Sequence, residues 1–447
     1  MSKNKKNTIL HITPHLGGGV GSVLLNYLIK IKNDALYSHE IVCLDYANEN
    51  ARNIATKEGL ILSDNFYKNH DELLFKIADS DIVLVHWWNH PLLYDFLVRE
   101  TLPPCRVIIW SHISGFNPPY VFVEPLFEYA DLFVFTTPVS YEADEIKRLS
   151  EKHKEKIRTV WSTRGTEYVA GIKPKPHDGF NVGYIGTVDY CKLHPDFIRM
   201  CRGIDIDDAH FIVCGGPMEK EIYGETVKEG IGRKFSFEGR VDNINDYLGI
   251  FDVFGYPLAP YHYGTCEQSL AEAMSSGVVP VVLANKTESY MVQDGITGII
   301  AGDENEYIKA VEKLYKDEAL RKTLSIQAKK DAEKRFSLDT MITGWKRIFA
   351  RVLKVPKLPR KWAGQYSGKN VSYFEIFIES LGIYGNVFEE YKTASNKRER
   401  NSAEIKIEEI MNSGYSWKSG TRGTVYHYNA FFKDDLLNKV SMFKFNI

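Results

Sequence analysis

An α/β architecture of two doubly wound, Rossmann-like units in series, followed by a small C-terminal appendage, is the fold class this sequence predicts. Three observations predict it. Short apolar runs alternate with helix-like patterns twice over, a polar, proline-bearing stretch separates the two series, and the alternation stops past Val355. A parallel sheet is buried on both faces, so its strands read as continuous apolar runs between helices. At 447 residues the chain has room for two such units and an addition.

The first series offers strands at Thr8 to Thr13, Glu40 to Leu44, Ile82 to His86, Arg106 to Trp110 and Leu132 to Thr136. Between them, Val23 to Lys30 and Asp71 to Ala78 carry apolar residues at three- and four-residue spacing. Near Thr159 the character changes, and Lys173-Pro-Lys-Pro-His-Asp-Gly179 reads as a linker. The second series has strand candidates at Asn181 to Ile185, His210 to Cys214, Phe235 to Glu238, Val253 to Tyr256, Val278 to Leu283 and Gly298 to Ile300. Helices are expected from about Asn305 to Lys316 and through Met341 to Leu353. The expected domains are 1–168, 169–335, a helix over 336–355 and an extension over 356–447 that is aromatic-rich and only partly periodic.

Composition narrows the function classes. With 56 basic against 58 acidic residues the chain lacks the surplus positive charge of a general nucleic-acid binder. No apolar run reaches the roughly 18 residues a membrane span needs, and Met1 to Asn7 is polar and basic rather than a secretory leader. Cys43, Cys105, Cys191, Cys201, Cys214 and Cys266 lie far apart without C-x-x-C pairing, as expected of reduced thiols in a cytoplasmic protein.

The most informative segment is Tyr263-Gly-Thr-Cys-Glu-Gln-Ser-Leu-Ala-Glu-Ala-Met-Ser-Ser-Gly277, which reads as loop, helix and glycine stop before a buried strand. Thr265 and Gln268 stand at capping-box spacing, placing a helix N-terminus with its free N–H groups at the loop's end, where a phosphate fits. Glu272, inside that helix, has the chemistry to accept hydrogen bonds from a ribose diol. The plain alternative is that Glu267 complements the helix dipole and Glu272 faces solvent. With Asp294-Gly-Ile-Thr-Gly298, the segment resembles the nucleotide-sugar site of family-4 retaining glycosyltransferases, which have the GT-B fold of two Rossmann-like domains with a cleft between them. Those enzymes usually carry two Glu residues separated by seven others. This chain keeps the second as Glu272, has Gly264 in place of the first, and offers Glu267 as a substitute. The resemblance covers roughly residues 8 to 353 and implies donor contacts from Thr265, Cys266, Gln268, Ser269 and Leu270.

Other motifs extend the resemblance. The turn Pro14-His-Leu-Gly-Gly-Gly-Val-Gly-Ser22 is not a dinucleotide fingerprint, because Ser22 stands at its last glycine position. In the resembling enzymes Gly18 and Gly19 would face the donor diphosphate; a purely structural tight turn is the alternative. Gly183 to Lys192 opens the second unit with Gly186, Thr187 where the family commonly has Arg, and Lys192 at the spacing of the family's phosphate-neutralising Lys. Arg240 or Arg164 is then the candidate second charge. Gly216 belongs to a Gly-x-Gly-Pro-like turn, and Arg240 with Val241 to the loop bordering the nucleotide base. His112 matches a family His facing the donor sugar. His86, Trp87 and Trp88 end a strand with rings suited to stacking on an acceptor carbohydrate, although core packing is the default for two tryptophans. Asp205-Ile-Asp207 has the D-x-D form of another, metal-dependent class, but nothing else of that class accompanies it, so no metal is expected. The basic, amphipathic stretch Trp345 to Trp362 leaves two readings open: lipid contact, or the helix that packs back across the N-terminal domain in GT-B enzymes.

These readings imply a metal-independent retaining glycosyltransferase without cofactor, acting in the cytoplasm or at the inner membrane face. Catalysis would rest on His112, Lys192 and Glu267. Its partners would be a nucleoside-diphosphate sugar and a glycan or glycolipid acceptor, with oligomers left open through the extension. The alternative is a catalytically weak GT-B protein acting as a nucleotide-sugar-binding or partner subunit.

Overall fold

The computed structural model describes residues 6–418 and 420–443. It divides into two compact units, one of residues 1–160 with 342–447 and one of residues 161–341.

Unit 1 is built on a parallel sheet in the order β3-β2-β1-β4-β6-β7-β8. Its strands are β1 (Asn7–Thr13), β2 (Tyr37–Cys43), β3 (Ile61–Ser63), β4 (Ile82–Trp87), β6 (Val107–Ser111), β7 (Leu132–Phe135) and β8 (Ile157–Thr159). All residues of β4, β6 and β7 are buried, which is why these strands read as unbroken apolar runs. The order reverses between β1 and β4. Chain connections diverge there, and the loops after the two strands flank a crevice at the carboxyl ends of the sheet.

The residues after Val355 belong to this unit. Strand β15 (Leu358–Arg360) pairs antiparallel with β5 (Leu102–Cys105), and Arg360 donates to both carboxylate oxygens of Asp131 at 2.6 Å. Helices Tyr373–Ser380, Asn386–Thr393, Lys397–Asn412, Val425–Phe431 and Asp435–Ser441 follow. The first is closed by a capping box in which Ser372 and Glu375 satisfy each other's backbone N–H. Of the basic stretch after Trp345, the apolar side chains Trp345, Ile348, Phe349 and Val352 are buried. Trp345 meets Trp110 edge to face at 4.8 Å and Phe349 packs on Tyr37, so this face is internal to unit 1.

Unit 2 has a parallel sheet in the order β11-β10-β9-β12-β13-β14. Its strands are β9 (Phe180–Ile185), β10 (Ala209–Cys214), β11 (Phe235–Gly239), β12 (Val253–Tyr256), β13 (Val279–Leu283) and β14 (Ile299–Ala301). One core holds them, including Val182, Val213, Val253 and Val281 from the strands and Leu270 and Met274 from a helix. The order reverses between β9 and β12, so the loops after these strands border this unit's crevice.

Candidate donor site in unit 2 and the imidazole chain in unit 1

Helix Gln268–Ser276 follows β12 and ends at Gly277, whose φ of 89° lets its N–H close on Ala273 and Met274 carbonyls. Its start differs from the capping-box expectation. Glu267, not Thr265, occupies the N-cap position, and no side chain caps the first turn. Gln268 points back instead: Nε2 donates to the Ser162 carbonyl at 2.9 Å, and Oε1 accepts from Arg164 N–H at 2.9 Å. The reason lies in Glu267, which is drawn into a buried ionic cluster.

Lys192, on the loop after β9, places Nζ 2.6 Å from Glu267 Oε2, and the Tyr256 hydroxyl donates to the same oxygen at 2.7 Å. Burial alone would lower the Lys192 ammonium, but the Glu267 charge outweighs it and holds the pKa above the ordinary value. Burial likewise opposes ionisation of Glu267, and Lys192 and His262 outweigh it to bring that carboxyl below its usual range. The two are therefore an ammonium and a carboxylate. Behind them His262 reaches Glu288 Oε2 through Nε2 at 3.1 Å while its Nδ1 accepts from Gly264 N–H at 3.1 Å. A Cβ placed on Gly264 would lie 1.6 Å from Glu267 Oε1. The Glu267 carboxylate thus fills the space a side chain at 264 would enter.

Glu272 is also buried, at 1% exposure. Its Oε1 accepts from Arg164 Nε and, at 2.6 Å, from the Tyr168 hydroxyl. Oε2 has no partner. An unpartnered buried carboxylate oxygen is costly, and here it marks an unfilled acceptor position. Arg164, a candidate second cation for phosphate, is committed to Glu272. Arg240 is exposed and has no ion pair among the described residues. The turns after β9, β10 and β11 are tied together, with Gly186 N–H on Cys214 O at 3.0 Å, Val188 N–H on Gly216 O at 2.9 Å and Gly215 N–H on Gly239 O at 2.6 Å. This brings Gly186, Thr187, Gly216, Arg240 and Val241 to one end of the sheet. Gly215, at φ 135°, stands where a Cβ would meet the Gly186 carbonyl at 1.8 Å.

Two groups of potential metal ligands occur among the described residues: His262, Glu267 and Glu288, and His194, Asp196 and Glu304. In the first, Lys192 already occupies Glu267 Oε2 and His262 Nε2 already occupies Glu288 Oε2. Asp205 and Asp207 are exposed and belong to neither.

In unit 1, four imidazoles form a chain across adjacent strands β2, β1, β4 and the end of β6. His39 Nδ1 lies 2.9 Å from His11 Nε2, His11 Nδ1 3.0 Å from His86 Nε2, and His86 Nδ1 3.1 Å from His112 Nε2. Burial keeps all four below the ordinary histidine pKa, His39 at about 4 and His112 at about 3. Trp87 is fully buried against Tyr94, Phe122 and Phe133 and is core, so the acceptor-side expectation passes to the half-buried Trp88. Gly18 and Gly19 are exposed at the start of helix Gly18–Ile31, Gly18 with φ 59°. Sequence reasoning missed Tyr168, Tyr256, His262 and Glu288. His262 had one signal, its place in the loop leading into the Tyr263 to Gly277 segment.

Residues 170–331 match the family model described as glycosyl transferases group 1. No curated protein matches the chain. Among solved structures, a glycosyltransferase from Rickettsia africae ESF-5 superposes with a TM-score of 0.62 at 14% identity, over 78% of this chain and 99% of that one. Anabaena Alr3699/HepE in complex with UDP-glucose gives 0.60 at 13% identity, over 77% and 99%. The pneumococcal O-GlcNAc transferase GtfA in complex with UDP and GlcNAc gives 0.61 at 11%, over 79% and 100%. The fold is GT-B, and the three matches cover 77–79% of this chain.

Proposed function

Because residues 170–331 match the model of glycosyl transferases group 1 and the fold is GT-B, we propose that the protein moves a sugar, with retention of anomeric configuration, from a nucleoside-diphosphate sugar to a hydroxyl of a glycan or glycolipid, in surface polysaccharide biosynthesis. The observation that carries this reading is the Lys192–Glu267 pair at the uncapped start of helix Gln268–Ser276. An ammonium beside free helix N–H groups suits a pyrophosphate, whose charge grows as the sugar–phosphate bond breaks. Glu272 Oε2 is the acceptor for ribose hydroxyls, oriented by Arg164 and Tyr168 on the other oxygen. Glu267 stands in for the glutamate missing at 264 and holds the donor sugar, and His112 in unit 1 offers an imidazole to sugar hydroxyls. Retention proceeds by same-face attack assisted by the leaving phosphate. Lys192 and the helix N-terminus supply the positive charge, so no divalent ion is required. No helix among the described residues is long and apolar enough to cross a membrane.

One observation favours a second reading, a nucleotide-sugar-binding subunit without turnover: the Lys192 charge is already matched by Glu267. A thermal-shift screen against UDP, GDP, ADP and CMP tests the shared premise. A nucleotide at a hundred times its Kd adds about 2.7 kcal/mol of stability. Transfer from the corresponding nucleotide sugar, lost in Lys192→Ala and Glu272→Ala, then separates the enzyme from the subunit; binding without transfer or hydrolysis supports the subunit.

A further inference from the structure

The C-terminal extension contributes rings to the loops at the carboxyl ends of β1, β2 and β4. His15, after β1, stacks on Tyr46 at 5.4 Å and meets Trp88 and His90 edge to face at 5.2 and 5.7 Å. His90 in turn contacts His427 at 4.8 Å and Phe431 at 5.1 Å, both on helix Val425–Phe431 of the extension. Trp88 continues the series to His112 at 6.0 Å. The docking is close: a Cβ on Gly423 would lie 2.7 Å from the Asn89 carbonyl oxygen, and Gly423 has φ 81°, so glycine is needed where the extension meets the β4 loop. Tyr46 and Phe431 remain 46% and 37% exposed at opposite ends.

The polar edges of these rings are unfilled in a specific sense. Nδ1 of His90 accepts from Leu92 N–H at 3.3 Å, and Nδ1 of His427 accepts from Gly423 N–H at 3.0 Å. Each neutral ring therefore carries its proton on Nε2. Neither Nε2–H has an acceptor among the described residues, and the His15 ring makes no hydrogen bond there at all. Burial holds His15, His90 and His427 below the ordinary histidine pKa, His427 at about 4, so the strip is uncharged at neutral pH. The rings themselves offer anions and cations no charge partner, the cation acting on His427 being Arg422. An acyl chain would leave the N–H donors unmatched. A sugar ring has both an apolar C–H face for aromatic rings and hydroxyls for the donors.

We propose that His15, Tyr46, Trp88, His90, His427 and Phe431 form a subsite for a neutral sugar ring of the acceptor, one wall of which is built by the extension. This rests on the glycosyl-transfer reading for its role, but not for its binding. The test is saturation-transfer NMR of the full chain with neutral p-nitrophenyl hexosides and N-acetylhexosaminides, beside the UDP thermal shift. Wild-type protein should bind at least one glycoside, and Phe431→Ala and Tyr46→Ala should each weaken it about tenfold or more while melting as wild type does. Wild-type protein that binds none of these glycosides overturns the proposal. So do Phe431→Ala and Tyr46→Ala variants that bind as wild type, or a signal confined to the nitrophenyl ring. Glycoside binding without any nucleotide-induced shift would leave the subsite standing and remove the transfer reading instead.

Discussion

The candidate sites of the two units bury their polar groups by different rules. Unit 1 hides four imidazoles as neutral rings hydrogen-bonded head to tail, whereas unit 2 hides Lys192, Glu267, Arg164 and Glu272 as charged pairs. Each rule suits a different ligand chemistry. A region that must meet a pyrophosphate gains from ammonium and N–H groups whose cost of burial is offset by carboxylates. A region that meets only hydroxyls gains from neutral donors and acceptors, which cost less to desolvate.

Acid should break the comparison most strongly. A histidine whose folded pKa is depressed binds fewer protons folded than unfolded, so its stability contribution is present above about pH 6.5 and lost as pH falls toward the folded value. For His39 that value is about 4 and for His112 about 3. Each such ring costs about 1.4 kcal/mol per pH unit below 6.5, and His11 and His86 shift in the same direction. In unit 2 the lowered Glu267 loses stability only below the carboxylate range, and the raised His262 is stabilising in acid and weakens as pH rises. Peptide-resolved proteolysis at pH 7.5 and 5.5 should therefore show new cuts in unit 1 first. Earlier cutting in unit 2 would overturn the assignment of neutral imidazoles.

Lys192→Ala comes next in size. It leaves the Glu267 carboxylate buried without its ammonium, a loss of about 3–5 kcal/mol, and removes the cation proposed to meet the phosphates, which should slow transfer about 100- to 1,000-fold. Adding Glu267→Gln should restore most of the melting temperature and none of the transfer, because removing both charges is far less costly than removing one. Recovery of activity in the double variant would show that the pair is structural alone.

Much of this architecture was legible in the chain because it rests on local pattern. β4, β6, β9, β10, β12 and β13 are buried on both faces and stand out as apolar runs, but β3, β8 and β15 have three residues each, too short for any period. At the site, the 263–277 segment gave away its helix and glycine stop. The predicted cap at Thr265 failed because a long-range force decided it: Lys192 and Tyr256 draw Glu267 into the N-cap position, and neither is near it in sequence. The imidazole chain was invisible for the same reason, since residues 11, 39, 86 and 112 meet only through the strand order β2-β1-β4-β6.

Glu272→Gln is a smaller and sharper change. The amide keeps the shape and an acceptor for Arg164 but loses the charge at Oε2, so nucleotide affinity should fall about tenfold, roughly 1.4 kcal/mol, with only a modest change in melting temperature. Isothermal titration with the nucleotide identified by thermal shift measures it. Unchanged affinity would move the ribose away from this carboxylate.

The smallest effect belongs to the far end of the imidazole chain, and it decides the proton order within it. His39 Nε2 is buried and has no partner. If the protons run so that each Nδ1 donates to the next Nε2, that atom is a bare lone pair and His112 carries its proton on Nδ1. In the reverse order His39 would bury an unmatched N–H, which folded proteins tolerate less readily than an unfilled acceptor. His39→Phe removes an end ring whose outer nitrogen was unmatched but also the donor to His11 Nε2, so it should lower stability at pH 7 by about 1 kcal/mol, with acid sensitivity reduced by about 1.4 kcal/mol per pH unit below 6.5. Imidazole 15N shifts of the wild-type protein should then place the His112 proton on Nδ1. A proton on Nε2 would reverse the chain and leave His112 an acceptor toward the sugar rather than a donor.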